Sequence, residues 1–122
     1  MGNVYRVYTG KDGLTHSEVM NVFPAAVTNL LEATTRGAEN RRKALSIGFR
    51  NQAAGFFGDW HTVEKPVFSI TVSGELEYGL SDGTVLKNGP GDTVLFEDFT
   101  GKGHTTRIVG KQPRLSMAVE LA

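Results

Sequence analysis

The sequence predicts an all-β fold, either a sandwich or a barrel of short strands. Hydrophobic and polar residues alternate with a period of two in several segments, as in strands with one buried face. The chain contains 15 glycines, and turn signals separate the alternating segments. Strands spaced by roughly 8 to 12 residues, with turn chemistry between them, are typical of β-sandwiches and β-barrels.

The N-terminal part contains two predicted strands and one ambiguous segment. Residues 4–8 and 45–49 are predicted to be strands, and in the second of them Leu45, Ile47 and Phe49 alternate with Ser46, Gly48 and Arg50. Residues 24–33 begin with proline and are rich in alanine and leucine, which predicts one short helix. The β-branched residues in the same segment would also suit a strand. Both structures stay open for this segment.

The central strands have a clearer pattern. Residues 67–73 place phenylalanine, isoleucine and valine on one face and serine and threonine on the other. The polar face suits a cavity, a partner or water. Residues 76–80 also alternate, and the Asp82-Gly83 step that follows them predicts a type I′ hairpin turn.

The remaining strands are predicted at residues 85–86, 94–96, 105–109 and 115–121, with turn-rich or loop segments between them. One face of the last strand is apolar throughout. It comprises Leu115, Met117, Val119 and Leu121. We therefore predict that this face belongs to the core.

Length and composition predict one domain, spanning residues 1–122. Basic and acidic residues balance at 13 each, so no overall charge attracts nucleic acid or an anionic membrane. Cysteine is absent, which excludes disulfides, thiolate metal sites and a cysteine nucleophile. Without a secretory leader or a long apolar run, the chain is expected to be cytoplasmic.

One block of residues has the spacing of a known motif. Five residues separate Gly55 from His61, Val63 lies two positions further, Val67 follows after three residues, and six more lead to Gly74. This frame resembles the first motif of the cupin family. In cupins, the positions held here by His61, Val63 and Val67 are typically histidine, histidine and glutamate.

A second block resembles the second cupin motif. It begins at Gly91, and its histidine corresponds to His104, although the family spacing would place that histidine two residues earlier. Glu97 and Phe99 stand where cupins usually have proline and glycine, and Ile108 stands where asparagine is common. The motif-bearing part is residues 55–108. The resemblance implies a small RmlC-like jelly-roll barrel, the cupin double-stranded β-helix, with degenerate metal-binding motifs.

The cofactor prediction is either no metal or one divalent transition metal ion. The resemblance implies only two metal ligands, His61 and His104, because the side chains of Val63 and Val67 have no donor atoms. The nearest acidic residues in the sequence are Asp59, Glu64, Glu97 and Asp98. Strand alternation would turn Asp59 to the same side as His61, so Asp59 is the preferred third ligand. Transition-metal sites usually need at least three protein ligands. A metal-dependent enzyme with a reduced ligand set is therefore one hypothesis.

A metal-free site is the competing hypothesis. In it, His61 and His104 are catalytic residues that exchange protons with a small organic substrate, as in an isomerase or a lyase. An imidazole suits this role because its unperturbed pKa of ~6.5 makes both protonation states accessible near neutrality. A non-catalytic ligand-binding or sensory module is equally open, since cupin folds serve many functions. Each histidine could also be a structural hydrogen-bonding group.

Four further residues are candidate contacts for a small-molecule ligand. Trp60, Tyr78 and Phe96 could line a hydrophobic pocket, although aromatic residues in a small β-domain more often fill the core or a dimer interface. Arg50 could bind a carboxylate through two parallel hydrogen bonds. A homodimer is also expected, because exposed sheet edges and apolar strand faces are often covered by a second copy.

Overall fold

The computed structural model describes residues 3–22 and 41–122, so the helix predicted at 24–33 lies outside the described residues. The described part consists of strands and their connections, which confirms the predicted all-β class. The strands are β1 (Val4–Thr9), β2 (Thr15–Val19), β3 (Ala44–Gln52), β4 (Phe57–His61), β5 (Val67–Ser73), β6 (Glu75–Leu80), β7 (Val85–Asn88), β8 (Thr93–Glu97), β9 (His104–Val109) and β10 (Arg114–Leu121). Within these residues, no helix is long and apolar enough to cross a membrane.

The strands form two sheets. The larger sheet has six strands in the order β2-β1-β8-β5-β10-β3, and the smaller has four in the order β4-β9-β6-β7. Strands β1 and β8 pair in parallel, and the other pairs are antiparallel. The core lies between the sheets, because its buried apolar side chains come from β1 and β8 on one side and from β6 and β9 on the other. They are Val7, Val94, Phe96, Leu76, Tyr78, Leu80 and Ile108.

The face of β10 that was predicted as core is mostly directed outward, so this prediction is wrong for most of the strand. Leu115 is 38% exposed, and Met117 and Val119 are only partly buried. The inward face instead carries polar residues, including the buried Arg114 and Ser116. The register shifts between Glu120 and Leu121, and Leu121 is buried. The interior beside β10 is a polar cavity, and the polar side chains therefore face inward.

The connection between β6 and β7 differs from the predicted type I′ turn. Leu80 and Thr84 close a three-residue loop through a hydrogen bond from Leu80 N to Thr84 O, and Gly83 N donates to Leu80 O. Of the loop residues, only Gly83 has a positive φ, at 92°. A type I′ turn requires positive φ at both central residues, whereas a type I turn followed by a left-handed glycine does not. The side chain of Asp82 accepts from Thr84 N at 2.9 Å and stabilises this form of the loop.

Candidate functional site

A cavity of about 380 Å³ opens between the two sheets at one end of the fold. Its walls come from β3, β5, β8 and β10 of the larger sheet, from β4, β6 and β9 of the smaller sheet, and from the segments around Phe56 and Glu64. Five of the residues singled out from the sequence line it. They are Arg50, His61, Tyr78, Phe96 and His104. Pairing of the short strands β4 and β9 brings the two histidines together, because His61 and His104 are direct neighbours in the register.

The two imidazole rings lie against each other, with their centroids 4.4 Å apart. His104 is buried, with 3% exposure, whereas His61 is exposed at the mouth of the cavity. Phe96 stacks on His104 at a centroid distance of 4.1 Å, and the edge of Tyr78 approaches His104 at 5.8 Å. Ring packing therefore holds His104 in one orientation, and His61 stays accessible to a ligand.

The hydrogen bonds of both rings define which nitrogen carries a proton. His61 Nδ1 lies 2.9 Å from the backbone carbonyl oxygen of Asp59, and His104 Nδ1 lies 2.7 Å from Asp98 Oδ2. A carbonyl oxygen only accepts, so Nδ1 of His61 is the donor, and an ionised carboxylate imposes the same role on Nδ1 of His104. In the neutral rings, Nε2 therefore keeps its lone pair. Both histidines are prepared to accept a proton at Nε2.

Asp98 is the acidic partner of His104, whereas strand alternation had favoured Asp59 among the nearby carboxylates. Its side chain is completely buried, and its Oδ1 has no hydrogen-bond partner among the described residues. A buried carboxylate is unfavourable unless a donor or a positive charge lies beside it. His104 supplies both when it is protonated. In the sequence, Asp98 is only one of several acidic residues near the second motif, and the loop between β8 and β9 brings it behind His104.

Asp59 does not lie beside His61 as alternation predicted. The register of β4 against β9 shifts between Gly58 and His61, so Gly58 and His61 both line the cavity while Asp59 does not. Asp59 Oδ1 instead accepts from Trp60 N at 2.8 Å. A bulge changes which side chains share a face, because it adds a residue to one strand only. Asp59 therefore contributes its backbone carbonyl oxygen to the site.

Trp60 does not line the cavity either. Its ring is partly exposed, and Lys102 Nζ lies 5.3 Å from its centroid in a cation–π arrangement. Arg107 lies over Phe57 at 4.8 Å and does not line the cavity. Of the predicted ligand contacts, the structure therefore brings Arg50, Tyr78 and Phe96 to the cavity and leaves Trp60 outside it.

Arg114 is the main site residue that sequence reasoning missed. It begins β10, lines the cavity and is 3% exposed. Burial lowers the pKa of its guanidinium, and burial raises the pKa of the Tyr78 phenol beside it. The signal in the sequence was the polar face of β10, where Arg114 alternates with Ser116. The apolar face of this strand was mistaken for the inward one.

The donor set does not fit a three-ligand metal centre. The described residues contain no group of three or more histidine, aspartate or glutamate side chains arranged to hold a metal ion. Val67 and Val63 line the cavity where further ligands would lie, and Val63 packs against the core. Two imidazoles fall short of a normal transition-metal coordination shell.

The fold is similar to that of solved cupin structures. No protein-family model matches the chain, and no curated protein matches it. An RmlC-like cupin protein from Desulfovibrio desulfuricans has a TM-score of 0.50 and 17% identity, over 67% of this chain and 76% of that one. A conserved protein with a double-stranded β-helix domain from Klebsiella pneumoniae has a TM-score of 0.52 and 18% identity, over 87% of this chain and 90% of that one.

A third similar structure is the cupin domain of Cnp3 from Schizosaccharomyces pombe, with a TM-score of 0.53 and 11% identity, over 100% of this chain and 89% of that one. At these identities, the comparisons show the fold and nothing finer. The chain has the cupin fold, the double-stranded β-helix.

Proposed function

We propose that this cupin-fold chain binds a small organic molecule in the cavity and catalyses proton transfer on it, as an isomerase or a lyase does. The observation that carries the proposal is the pair of imidazoles on the cavity wall, one of them hydrogen-bonded to the buried Asp98. His104 and His61 are the proposed catalytic residues. Asp98 is the proposed positioning residue, because it acts on the ligand only through His104.

The Asp98–His104 pair has the arrangement expected of a general base and its orienting group. A base must present a lone pair to the substrate and must be stabilised once it takes up a proton. The hydrogen bond to Asp98 Oδ2 keeps Nδ1 protonated, so Nε2 is the basic atom. The buried carboxylate then stabilises the imidazolium that forms after proton uptake.

The second imidazole supplies the complementary acid. In the proposed reaction one ring carries a proton and the other does not, because two positively charged rings with centroids 4.4 Å apart would repel each other. One ring is then a base and the other an acid. His104 Nε2 removes a proton from a carbon next to a carbonyl group, and protonated His61 delivers one to another carbon or to a departing hydroxyl group.

The test is hydrogen exchange into candidate substrates. The protein is incubated in D₂O with a panel of small oxo and hydroxy acids and other carbonyl compounds, and deuterium incorporation at carbon is followed by NMR. We expect His104→Gln and His61→Gln to slow the exchange by about 10²–10⁴-fold, the usual contribution of general acid–base catalysis. Asp98→Asn should slow it and also alter its pH profile, since Asp98 acts through His104.

His16→Gln is the matched control, because His16 pairs with Asp12 and Asp82 and does not line the cavity. It should exchange at the wild-type rate. Compounds that bind in the cavity without any exchange would overturn the catalytic proposal and would favour a binding module. Failure of every compound to shift the His104 resonances would contradict ligand binding itself.

A further inference from the structure

The inner wall of the cavity holds a positive charge without a negative partner. Within the described part of the chain, the Arg114 guanidinium hydrogen-bonds only to neutral groups: Nε to Thr71 Oγ1 at 3.2 Å, Nη1 to Gln52 Oε1 at 3.2 Å, and Nη2 to Ser69 Oγ, Thr71 Oγ1 and Tyr78 Oη at 2.9–3.0 Å. Among the described residues, no carboxylate lies within ion-pair distance of it.

Such a charge is unfavourable in a folded protein unless something else stabilises it. A guanidinium stays protonated in proteins, so Arg114 cannot become neutral in response to burial. Hydroxyl and amide oxygens replace part of its hydration, but they bring no opposite charge. The energetic deficit therefore points to an anion that enters the cavity when the site is in use.

The guanidinium also keeps donor capacity for a ligand. Nη1 carries two hydrogens and makes one hydrogen bond within the described part of the chain, to Gln52. The Tyr78 hydroxyl accepts from Nη2 at 3.0 Å and lies 3.2 Å from Ser69 Oγ. When Ser69 is the donor in that pair, the Tyr78 hydrogen can be donated to a second ligand oxygen. A carboxylate has two oxygens and accepts from an arginine fork in this way.

The charges of the cavity wall suit one negative charge. The wall contains three basic side chains, Arg50, Lys65 and Arg114, and two acidic ones, Glu64 and Glu120. The proton on the histidine pair is balanced by Asp98 behind His104, so one positive charge is in excess. A monocarboxylate would balance this excess, whereas a phosphate dianion would leave the cavity with a net negative charge.

The position of Arg114 connects the anion to the histidine pair. The guanidinium carbon of Arg114 lies 5.9 Å from the centroid of the Tyr78 ring, and the His104 ring lies 5.8 Å from the same centroid. A ligand bound at Arg114 therefore needs to extend only past one aromatic ring to reach the imidazoles.

We infer that the ligand is a small monocarboxylate whose carboxylate binds Arg114 and whose remaining atoms lie against His61 and His104. This inference deepens the proposed function, because it rests on the same cavity being the ligand site. It assigns Arg114 as the residue that selects acids over their neutral analogues, with Arg50 as a second positive charge at the opening.

The experiment compares acids with their primary amides. Pyruvate and lactate are titrated against pyruvamide and lactamide, with binding followed by ¹H–¹⁵N and ¹H–¹³C NMR shifts. Wild-type protein should bind the acids about tenfold more tightly or better, the effect expected of a charge-assisted hydrogen bond. Arg114→Gln should abolish this preference, and Arg114→Lys should retain part of it.

Arg107→Gln is the matched control, since it removes the same charge from a side chain over Phe57, outside the cavity. It should keep the wild-type preference. Equal affinity for acid and amide in the wild-type protein would overturn the inference even if Arg114 variants failed to fold. So would an acid preference that persists in Arg114→Gln, or an absence of binding by all four compounds.

The two proposals fail in different ways. If the acids bind through Arg114 and their carbon-bound hydrogens do not exchange, the anion site stands and proton-transfer catalysis is wrong. If acid and amide bind equally and both exchange, catalysis stands and the anion site is wrong.

Discussion

His16 shows how single side chains outside the cavity set the pH response of this fold. Its Nε2 lies 2.9 Å from Asp12 and its Nδ1 lies 3.2 Å from Asp82, so the ring connects the β1–β2 turn with the β6–β7 loop. The hydrogen bond to Asp12 is the main cause of a raised His16 pKa. Hydrogen bonds from Leu14 N and from His16 lower the pKa of Asp12.

The direction of the pH dependence follows from these shifts. The folded protein holds the His16 proton more tightly than the unfolded chain, so this contribution to stability is fully present below the unfolded histidine pKa of ~6.5. It is lost as pH rises through the raised folded value. The contribution of Asp12 has the opposite sense: it is present above the unfolded aspartate pKa of ~3.9 and lost as pH falls.

We therefore expect His16→Gln to lower the urea midpoint more at pH 5.5 than at pH 9. The comparison uses wild-type protein and variant across that range by circular dichroism. A difference that is equal at both pH values would show that the ion pairs contribute nothing. Because these groups are solvent-exposed, salt should also reduce the difference at pH 5.5.

The junction of β4 and β9 depends on one glycine. Gly103, which precedes β9, has a φ of +77°, and a Cβ placed on it would overlap the carbonyl oxygen of His61. No side chain fits there without moving the backbone of β4. The absence of a side chain at Gly103 therefore lets the two histidine-bearing strands approach each other.

Gly103→Ala should consequently destabilise the fold and displace His61. Gly110→Ala is a matched control, because Gly110 has the same φ of +77° and a Cβ there would meet no atom within 4 Å. The control isolates the conformational cost of a left-handed alanine, roughly 1–2 kcal/mol. We expect Gly103→Ala to lower the free energy of unfolding, measured with denaturant, by clearly more than this. We also expect it to alter the NMR resonances of His61. Equal losses in the two variants would contradict the contact with His61.

The larger sheet ends in an edge strand with an apolar outer face, which could determine how the whole molecule associates. Leu45, Ile47 and Phe49 of β3 are 50%, 62% and 70% exposed, and β3 pairs only with β10 within the described chain. A long edge strand with apolar side chains is a site for pairing with another chain. The homodimer expected from the sequence stays a prediction, and this edge is its proposed interface.

Charge and side-chain size favour a second copy at this edge. If two β3 strands pair antiparallel about Gly48, Phe49 faces Ile47 of the second copy, and Arg50 faces its Ser46. Ser46 pairs with Glu120 on β10, so Arg50 would approach Glu120 of the second copy. Among the described residues, neither Arg50 nor Glu120 has an ion pair within its own chain.

Sedimentation of the wild-type protein should then give a dimer, and Phe49→Lys should give a monomer. Val85→Lys is the control, since Val85 is also an exposed apolar residue, 54% exposed, in the edge strand β7 of the smaller sheet. It should leave the dimer intact. A monomeric wild-type protein at about 100 μM, well above the dissociation constant of a standard-sized specific interface, would refute the interface.

The local sequence pattern was sufficient to predict the strands and to identify the two histidines of the site. Alternation with a period of two depends only on neighbouring residues, and it correctly indicated strands around Phe49, Ile70 and Ile108. The spacing of glycines and histidines identified His61 and His104 as a pair because the cupin frame implies that they meet. Arg50, Tyr78 and Phe96, which were candidate ligand contacts, also line the cavity, and Tyr78 and Phe96 belong to the hydrophobic core as well.

Alternation does not specify which face of a strand points inward, and that depends on what packs against it. The cavity wall beside Arg114 supplies hydrogen-bonding groups such as Ser69 and Tyr78, so β10 turns Arg114 inward and Leu115 outward, contrary to the usual rule for a core strand. A bulge in β4 is likewise a property of two paired strands, and it separates Asp59 from His61. Burial of Asp98 behind His104, and of Arg114 among neutral groups, results from long-range packing. The charges and hydrogen bonds that define the proposed chemistry therefore arise only when distant segments of the chain meet.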